Sequence, residues 1–546
     1  MAKKNENKLS YLQMPLPEGG KYYKMTKRSW NGLNYRQTID TGALSMESNI
    51  STLEAPYLTP SEKRKSVSNS YANPISMFGF DDFLLVIYRS GTSIYADYIT
   101  YDADGDEYST YTGTLQDGNA KKADEYPRCV VQFNVYKTTT APIDGEYIKK
   151  LLIFPDRKSM DFEIAADNFQ IDSMSVLVKE FTPTADRSAP PDTASHNYYY
   201  RNSETNDVYK WVDDESDSEN SGWKVSVPPA APPIKYAAVH LSRLFGVSDD
   251  RVYASGFNDY TNWNLDTTDE YNESNAWCSS AQSNTKADGN FTGIINFQGH
   301  IVCFKRDFMH EIYNTKNPFR ISDIYAEGAI DNRTIQDVDG KLIFVSEDNV
   351  KIYTGSNPRI ISYYLNMPKY VNAVSGTDGR YYYLYCEDAD ENKRLFSYDT
   401  FTECWSEQAV SNTVLSFAHN KNGMYMLCDD GHIYKTDTGD YNHTWSFETD
   451  LITNETVSVK HIKKIQMFAD IGVGANIKVY MLYDDEKFNK NTSHLVYESV
   501  SCGRKPIRVK PRKTASYGVK LHVEGYGYVK LYEMELYMEN GGELYV

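Results

Sequence analysis

A chain of 546 residues with 75 acidic and 57 basic side chains carries a formal charge of −18. That length exceeds one ordinary core and predicts roughly two to four units, although a domain built from repeats can absorb about 300 residues. The acidity excludes wrapping the chain around a phosphate backbone by bulk attraction, and it serves solubility.

An aromatic fraction of 14%, carried mainly by 46 Tyr, and the scarcity of long Ala/Leu/Glu/Lys runs predict an all-β fold. The cysteines (Cys129, Cys278, Cys303, Cys386, Cys404, Cys428, Cys502) stand singly and are odd in number. They predict neither a disulfide framework nor a zinc knuckle, and they suit a reducing cytoplasm. The first 20 residues begin basic but lack an apolar stretch, so no signal peptide is expected. No run of about 18 apolar residues occurs, so no membrane-spanning segment is expected.

In chain order, residues 1–74 read as an extended entry arm, 75–453 as a β-propeller of about six to eight blades, and 454–546 as a β-sandwich-like domain. The propeller reading rests on a repeated hairpin: a Gly or polar turn, an apolar strand, a short acidic or Asn/Gly turn and a second strand rich in aromatics. Loose copies lie at 82–102 (DFLLVIYRSGTSIYADYITYD), 150–162 (KLLIFPDRKSMDF) and 242–256 (SRLFGVSDDRVYASG). Clear ones follow at 299–313, 340–353 (GKLIFVSEDNVKIY), 379–399 and 423–437. The leading glycines Gly299, Gly340, Gly379 and Gly423 stand 41, 39 and 44 residues apart. A period near 40 with paired strands is that of propeller blades, which bury their faces only by stacking radially. Leu342, Phe344, Val350, Ile352, Met426 and Ile433 hold equivalent repeat positions and are expected between blades.

Between 182 and 234 the repeat is interrupted by Pro-rich and acidic sequence, which predicts a protruding loop or small inserted element. It contains Tyr198, Tyr199, Tyr200 and Trp211, and the acidic run Asp213, Asp214, Glu215, Asp217 and Glu219. Tyr398-Asp399 followed by Trp405, and Asp437 followed by Trp445, are partly similar to kelch-type blades, where an Asp closes the turn and a Trp packs between blades. The double glycine of that family is missing. After about residue 453 apolar and polar residues alternate strand by strand, and Arg504, Lys505, Arg508, Lys510, Arg512 and Lys513 make a basic stretch. That stretch reads either as a charged edge strand protected from pairing or as a docking surface for an acidic neighbour.

No phosphate-binding, dinucleotide, zinc-protease or serine-hydrolase motif occurs, so no catalytic residue, cofactor or metal is assigned. Asp249-Asp250 and Asp429-Asp430 are Asp pairs of a kind ordinary in β-turns. Carboxylate pairs for glycoside hydrolysis are not readable from sequence spacing.

The segment from Trp30 (WNGLNYRQTIDTGALSMESNISTLEAPYLTPSEKRK), then 242–263, Thr292-Gly293-Ile294-Ile295 and 299–313, running on into 340–355, resembles the tail nozzle or tail-hub (tail stabilisation) proteins of tailed bacteriophages. The similarity covers roughly residues 30–361 and not the C-terminal part. It implies a virion tail component made in the host bacterial cytoplasm. It further implies a ring, usually sixfold, that extends the portal and adaptor channel, holds other tail proteins or fibres, and lets genomic DNA pass without sequence-specific binding. A receptor- or glycan-binding propeller module and a glycan-degrading enzyme are the alternative readings. The acidic insertion and the basic C-terminal stretch are the expected contact surfaces between neighbours, where opposite charges set register.

Overall fold

The structure, a computed structural model, describes residues 14–540 apart from 16–21, 28–29, 37–42, 68–69, 102–107, 117–121, 137–146, 157, 162–170, 174–177, 182–198, 203–207, 213–221, 226–230, 249, 264, 266–274, 280–288, 325–327, 366–368, 454–457, 485–486, 489–493, 501 and 512–514. Among the described residues there is no α-helix, and eight sheets have four strands each.

Seven of these sheets are propeller-like. In chain order they span 74–116, 129–173, 236–278, 293–324, 336–360, 370–408 and 414–435, the last completed by Lys65–Ser66. Each of the seven expected hairpins falls on the second and third strands of one of them, as with Lys341–Val345 and Val350–Tyr353. The glycine that sets the period lies at the turn joining the first strand to the second. At Gln298-Gly299 (φ 48 and 82) and Asp339-Gly340 (φ 52 and 69) both turn residues are left-handed, the form that matches strand twist and favours Gly at its second position.

Second strands such as Phe83–Ser90 open on an unbroken apolar run because both faces are covered. Phe83, Leu85 and Ile87 pack on Leu151 and Ile153 of the second sheet, whereas Leu84 and Val86 pack on Tyr425, Leu427 and Ile433 of the seventh. The chain of contacts continues through Leu152 and Phe154 with Leu244, Phe245 and Val247 with Ile301 and Cys303, and Phe304 with Leu342 and Phe344. Val350 and Ile352 meet Tyr382 and Leu384, and Tyr385 and Leu395 meet Met424 and Met426. The sheets are thus linked in a closed cycle. All six residues expected between blades lie in these inter-sheet clusters.

The eighth four-stranded sheet falls outside the cycle, between the second and third. Its strands Val178–Phe181, Tyr199–Asn202, Val208–Val212 and Gly222–Val225 include one parallel pair.

A six-stranded and a five-stranded sheet at the C-terminal end share one core. In Lys460–Ile471 and Asn476–Tyr483 alternate residues are buried, and Ile465, Met467, Ile477, Val479, Leu521, Leu536 and Met538 meet there. Two sequence expectations change. The strand Thr444–Thr449, expected inside the propeller, pairs with Val519–Tyr526, so Trp445 lies in this core and donates to the Gly527 carbonyl (2.8 Å). The N-terminal residues do not stand apart as an arm. Tyr22–Lys27 pairs with Val529–Asn540, Leu44–Ser48 with Thr444–Thr449, and Lys65–Ser66 with Ile433–Lys435, while Trp30, Leu44, Ile50 and Leu58 enter the C-terminal core.

Candidate functional site

First strands face the axis of the cycle and enclose a cavity of about 410 Å³, lined from all seven sheets by residues such as Met77, Val130, Ala237, Ile294, Val374 and Phe417. Close approach of the backbones narrows it. A Cβ on Gly79 would lie 2.1 Å from the His419 carbonyl oxygen, and one on Gly376 would lie 2.2 Å from Phe417 Cβ. Only hydrogen fits at either point.

Two arginines, Arg128 and Arg333, line this cavity, and no carboxylate belongs to its lining. Arg333 follows Asp331, whose carboxylate accepts from its Nη2 (2.9 Å) and Nε (3.2 Å) and from its backbone N–H (2.9 Å). Ser375 Oγ donates to the Arg333 carbonyl (3.0 Å), tying this turn to the sixth sheet. Arg128 precedes the first strand of the second sheet. Its Nε is buried without a hydrogen-bond partner, and its guanidinium makes no ion pair among the described residues. Burial, and then the Arg333 charge, hold Arg128 below the ordinary arginine range, while Asp331 acts in the opposite sense. Burial also pushes the neighbouring Tyr236 phenol up to about 12, with Asp331 adding to the shift. This arrangement was missed in the sequence. Its signal is an arginine placed just ahead of the first strands of the second and fifth sheets.

At the outer rim, the N-terminal segment is anchored by buried charge. Asp399 is fully buried and accepts from Arg380 Nη2 (2.7 Å), from the Phe401 N–H (2.9 Å) and from Thr52 Oγ1 (3.2 Å). Burial alone would raise its pKa, but the Arg380 and backbone hydrogen bonds outweigh this and lower it. Asp399 therefore closes the turn, and Trp405 packs on Tyr398 (5.0 Å) while donating to Ile361 of the adjacent fifth sheet (2.8 Å). Nearby, Glu407 holds Arg394 in a bidentate pair (2.9 and 3.0 Å) and accepts from Tyr35. Glu47 accepts the Glu407 N–H (2.7 Å). Burial, with the Glu407 charge adding to it, raises the Glu47 carboxyl well above the usual carboxylate range despite that hydrogen bond.

Large apolar side chains are exposed at Ile360 (46%) on the fourth strand of the fifth sheet, at Tyr363 (53%) and Tyr364 (52%) in the link to the sixth, and at Phe401 (70%) between the third and fourth strands of the sixth, with Val371 (70%) near the start of its first strand. Arg36 lies over the Tyr363 ring (3.9 Å), and Arg359 pairs with Glu403 (2.8 Å).

Of the basic stretch, Arg504, Lys505 and Arg508 lie on Gly503–Val509, the outermost strand on one side of the six-stranded sheet, and Lys510 follows it. Arg504 is stacked on Tyr532 (4.5 Å) and Phe468 (4.9 Å), and Lys505 donates to Ser499 (3.1 Å). Arg508 and Lys510 are exposed and form no ion pair among the described residues. Arg512 and Lys513 lie outside the described residues, as do Asp213, Asp214, Glu215, Asp217, Glu219, Tyr198 and Asp249. Asp430 is occupied by Asn412, Tyr434 and the His432 N–H, and Asp429 accepts from the Thr413 N–H, the ordinary work of turn carboxylates. No helix among the described residues is long and apolar enough to cross a membrane.

No protein-family model and no curated protein matches the chain. Among solved structures, a candidate 6-phosphogluconolactonase from Bacteroides fragilis is 13% identical with a TM-score of 0.32, covering 65% of this chain and 95% of that one. Hsv2 of Kluyveromyces lactis is 9% identical with a TM-score of 0.28, covering 62% and 98%. An exo-β-1,3-galactanase from Phanerochaete chrysosporium is 8% identical with a TM-score of 0.23, covering 87% and 100%. These likenesses are too loose to carry an argument about fold or activity.

Proposed function

We propose that the chain is a seven-bladed β-propeller joined to a C-terminal β-sandwich, and that it acts without catalysis as a ring-forming subunit of a bacteriophage tail. In this reading it is a nozzle or hub that extends the portal and adaptor channel, holds neighbouring tail proteins and passes genomic DNA. The observation that carries the assembly reading is the rim of exposed Ile360, Tyr363, Tyr364 and Phe401. Aromatic side chains grouped on an otherwise charged surface mark a contact face, and Tyr is enriched in such faces. A propeller closed on itself leaves the recruitment of partners to what lies outside its cycle, here the rim, the inserted sheet and the C-terminal sandwich. Arg508 and Lys510 supply register, since exposed charge pairs are individually weak and apolar contacts provide most of the affinity. The net charge of −18 is compatible with such a channel, since acidic residues lining it would repel phosphate and keep a passing genome from binding.

Sedimentation velocity and negative-stain imaging of the purified chain test this. Closed rings are expected for the native protein, weaker rings for Phe401→Ala combined with Tyr363→Ala, and salt-dependent weakening for Arg508→Glu with Lys510→Glu. A native chain that stays monomeric at every concentration, alone and with portal and adaptor proteins, overturns the proposal. Release of reducing sugar from a glycan would support the enzymatic alternative instead.

A further inference from the structure

We propose that the axial cavity binds a small oxyanion, a phosphate or carboxylate group, on Arg128 and Arg333. The cavity is closed round by seven first strands, has a volume of about 410 Å³, and is lined by two arginines and no carboxylate in a chain of net charge −18. One of the two is already spoken for: Arg333 is held from one side by Asp331. Arg128 is not, because its Nε is buried and lacks a partner. The Arg128 guanidinium is half-buried and shares the Asp331 charge with Arg333, so a second anion at the cavity would complete it. The planar guanidinium fork fits a carboxylate or phosphate oxygen pair, so an oxyanion in the cavity would accept from the Arg128 guanidinium and offset the repulsion between the two arginines. The Asp331 carboxylate fixes the Arg333 side chain without filling the cavity, which prepares the second donor group in advance. The volume exceeds that of bare phosphate and falls in the usual range for small-ligand sites, so the natural occupant carries a small organic body with its oxyanion directed at Arg128.

Equilibrium dialysis of the full chain against radiolabelled inorganic phosphate tests the inference. One saturable site per chain is expected, and Arg128→Gln should weaken it by about tenfold or more, as loss of a charged hydrogen bond does. Arg128→Lys, which keeps the charge but not the fork, should fall between. Competition by citrate supports a carboxylate ligand, and failure of citrate to compete supports a phosphate ligand. Two results overturn the site: no saturable phosphate binding by the native chain, or binding by Arg128→Gln equal to the native. The native measurement decides even where a variant does not fold, and it is independent of ring assembly.

Discussion

Two phenylalanines on neighbouring sheets provide opposite tests of one architecture. Phe344 is fully buried between the fourth and fifth sheets, with its ring 5.1 Å from Phe304 and Leu342 beside it. Phe401 is 70% exposed at the rim, resting at 5.2 Å from the Arg380 guanidinium. Phe344→Ala removes a ring whose surroundings are held by strands on both sides and cannot collapse, which costs about 3–5 kcal/mol. Phe344→Leu keeps most of the volume and should cost under about 1.5 kcal/mol. Phe401→Ala loses only an exposed cation–π contact, on the order of 0.5–1 kcal/mol. Urea unfolding followed by fluorescence reads each as a midpoint shift multiplied by the slope. Phe401→Ala should instead appear in the sedimentation profile, with ring formation weakened at nearly native stability. A Phe344→Ala loss below about 1 kcal/mol, the ordinary size of a surface change, would refute the inter-sheet packing. Equal losses for the two alanine variants would do the same.

Glu47 gives a pH signature. Its folded-state pKa is raised, so its contribution to stability is full below the unfolded carboxylate value near 4.3 and is lost as pH rises through the folded value. Glu47→Gln keeps an acceptor for the Glu407 N–H, so its melting temperature should exceed that of the native chain at pH 8 and match it at pH 4; an advantage independent of pH would argue against a protonated Glu47. Asp399→Ala strands Arg380, which is one-third exposed, along with the Phe401 N–H, and a loss of about 2–3 kcal/mol is expected in thermal or urea unfolding. Gly376→Ala presses a methyl group against Phe417 and should cost about 1–3 kcal/mol; a neutral result would mean that the first strands of the sixth and seventh sheets stand farther apart than described.

The repeat was legible where local chemistry is strict. Left-handed turns such as Asp339-Gly340 need Gly, and second strands buried on both faces need unbroken apolar runs, so hairpins announced themselves even in the loose copies at 82–102 and 150–162. Short strands recruited from far along the chain left no such mark. Lys65–Ser66 is two exposed residues whose strand character comes wholly from Ile433–Lys435, and nothing near Thr444 tells that its strand belongs with Val519–Tyr526. The Asp-then-Trp pattern was followed by structure at Asp399 and Trp405, but Trp445, eight residues after Asp437 rather than six, serves a different core. Arg128 and Arg333 were unreadable as a pair because they lie on sheets far apart in sequence, and only closure of the cycle brings both to the axis.

The interlocking of the two chain ends also sets an order in time. Residues near Lys63 leave the ribosome early, yet their partner Thr438 lies 375 residues downstream, and Lys530 reaches back across 476 residues to Glu54. The cycle of sheets can therefore be locked only once Ile433–Lys435 has been made, and the N-terminal segment can be clasped by the C-terminal sheets only near the end of synthesis; contacts of such separation form slowly. A truncated product lacks the clasp and stays open to proteolysis. A finished one closes as a unit, so the proposed ring would take up only completed subunits.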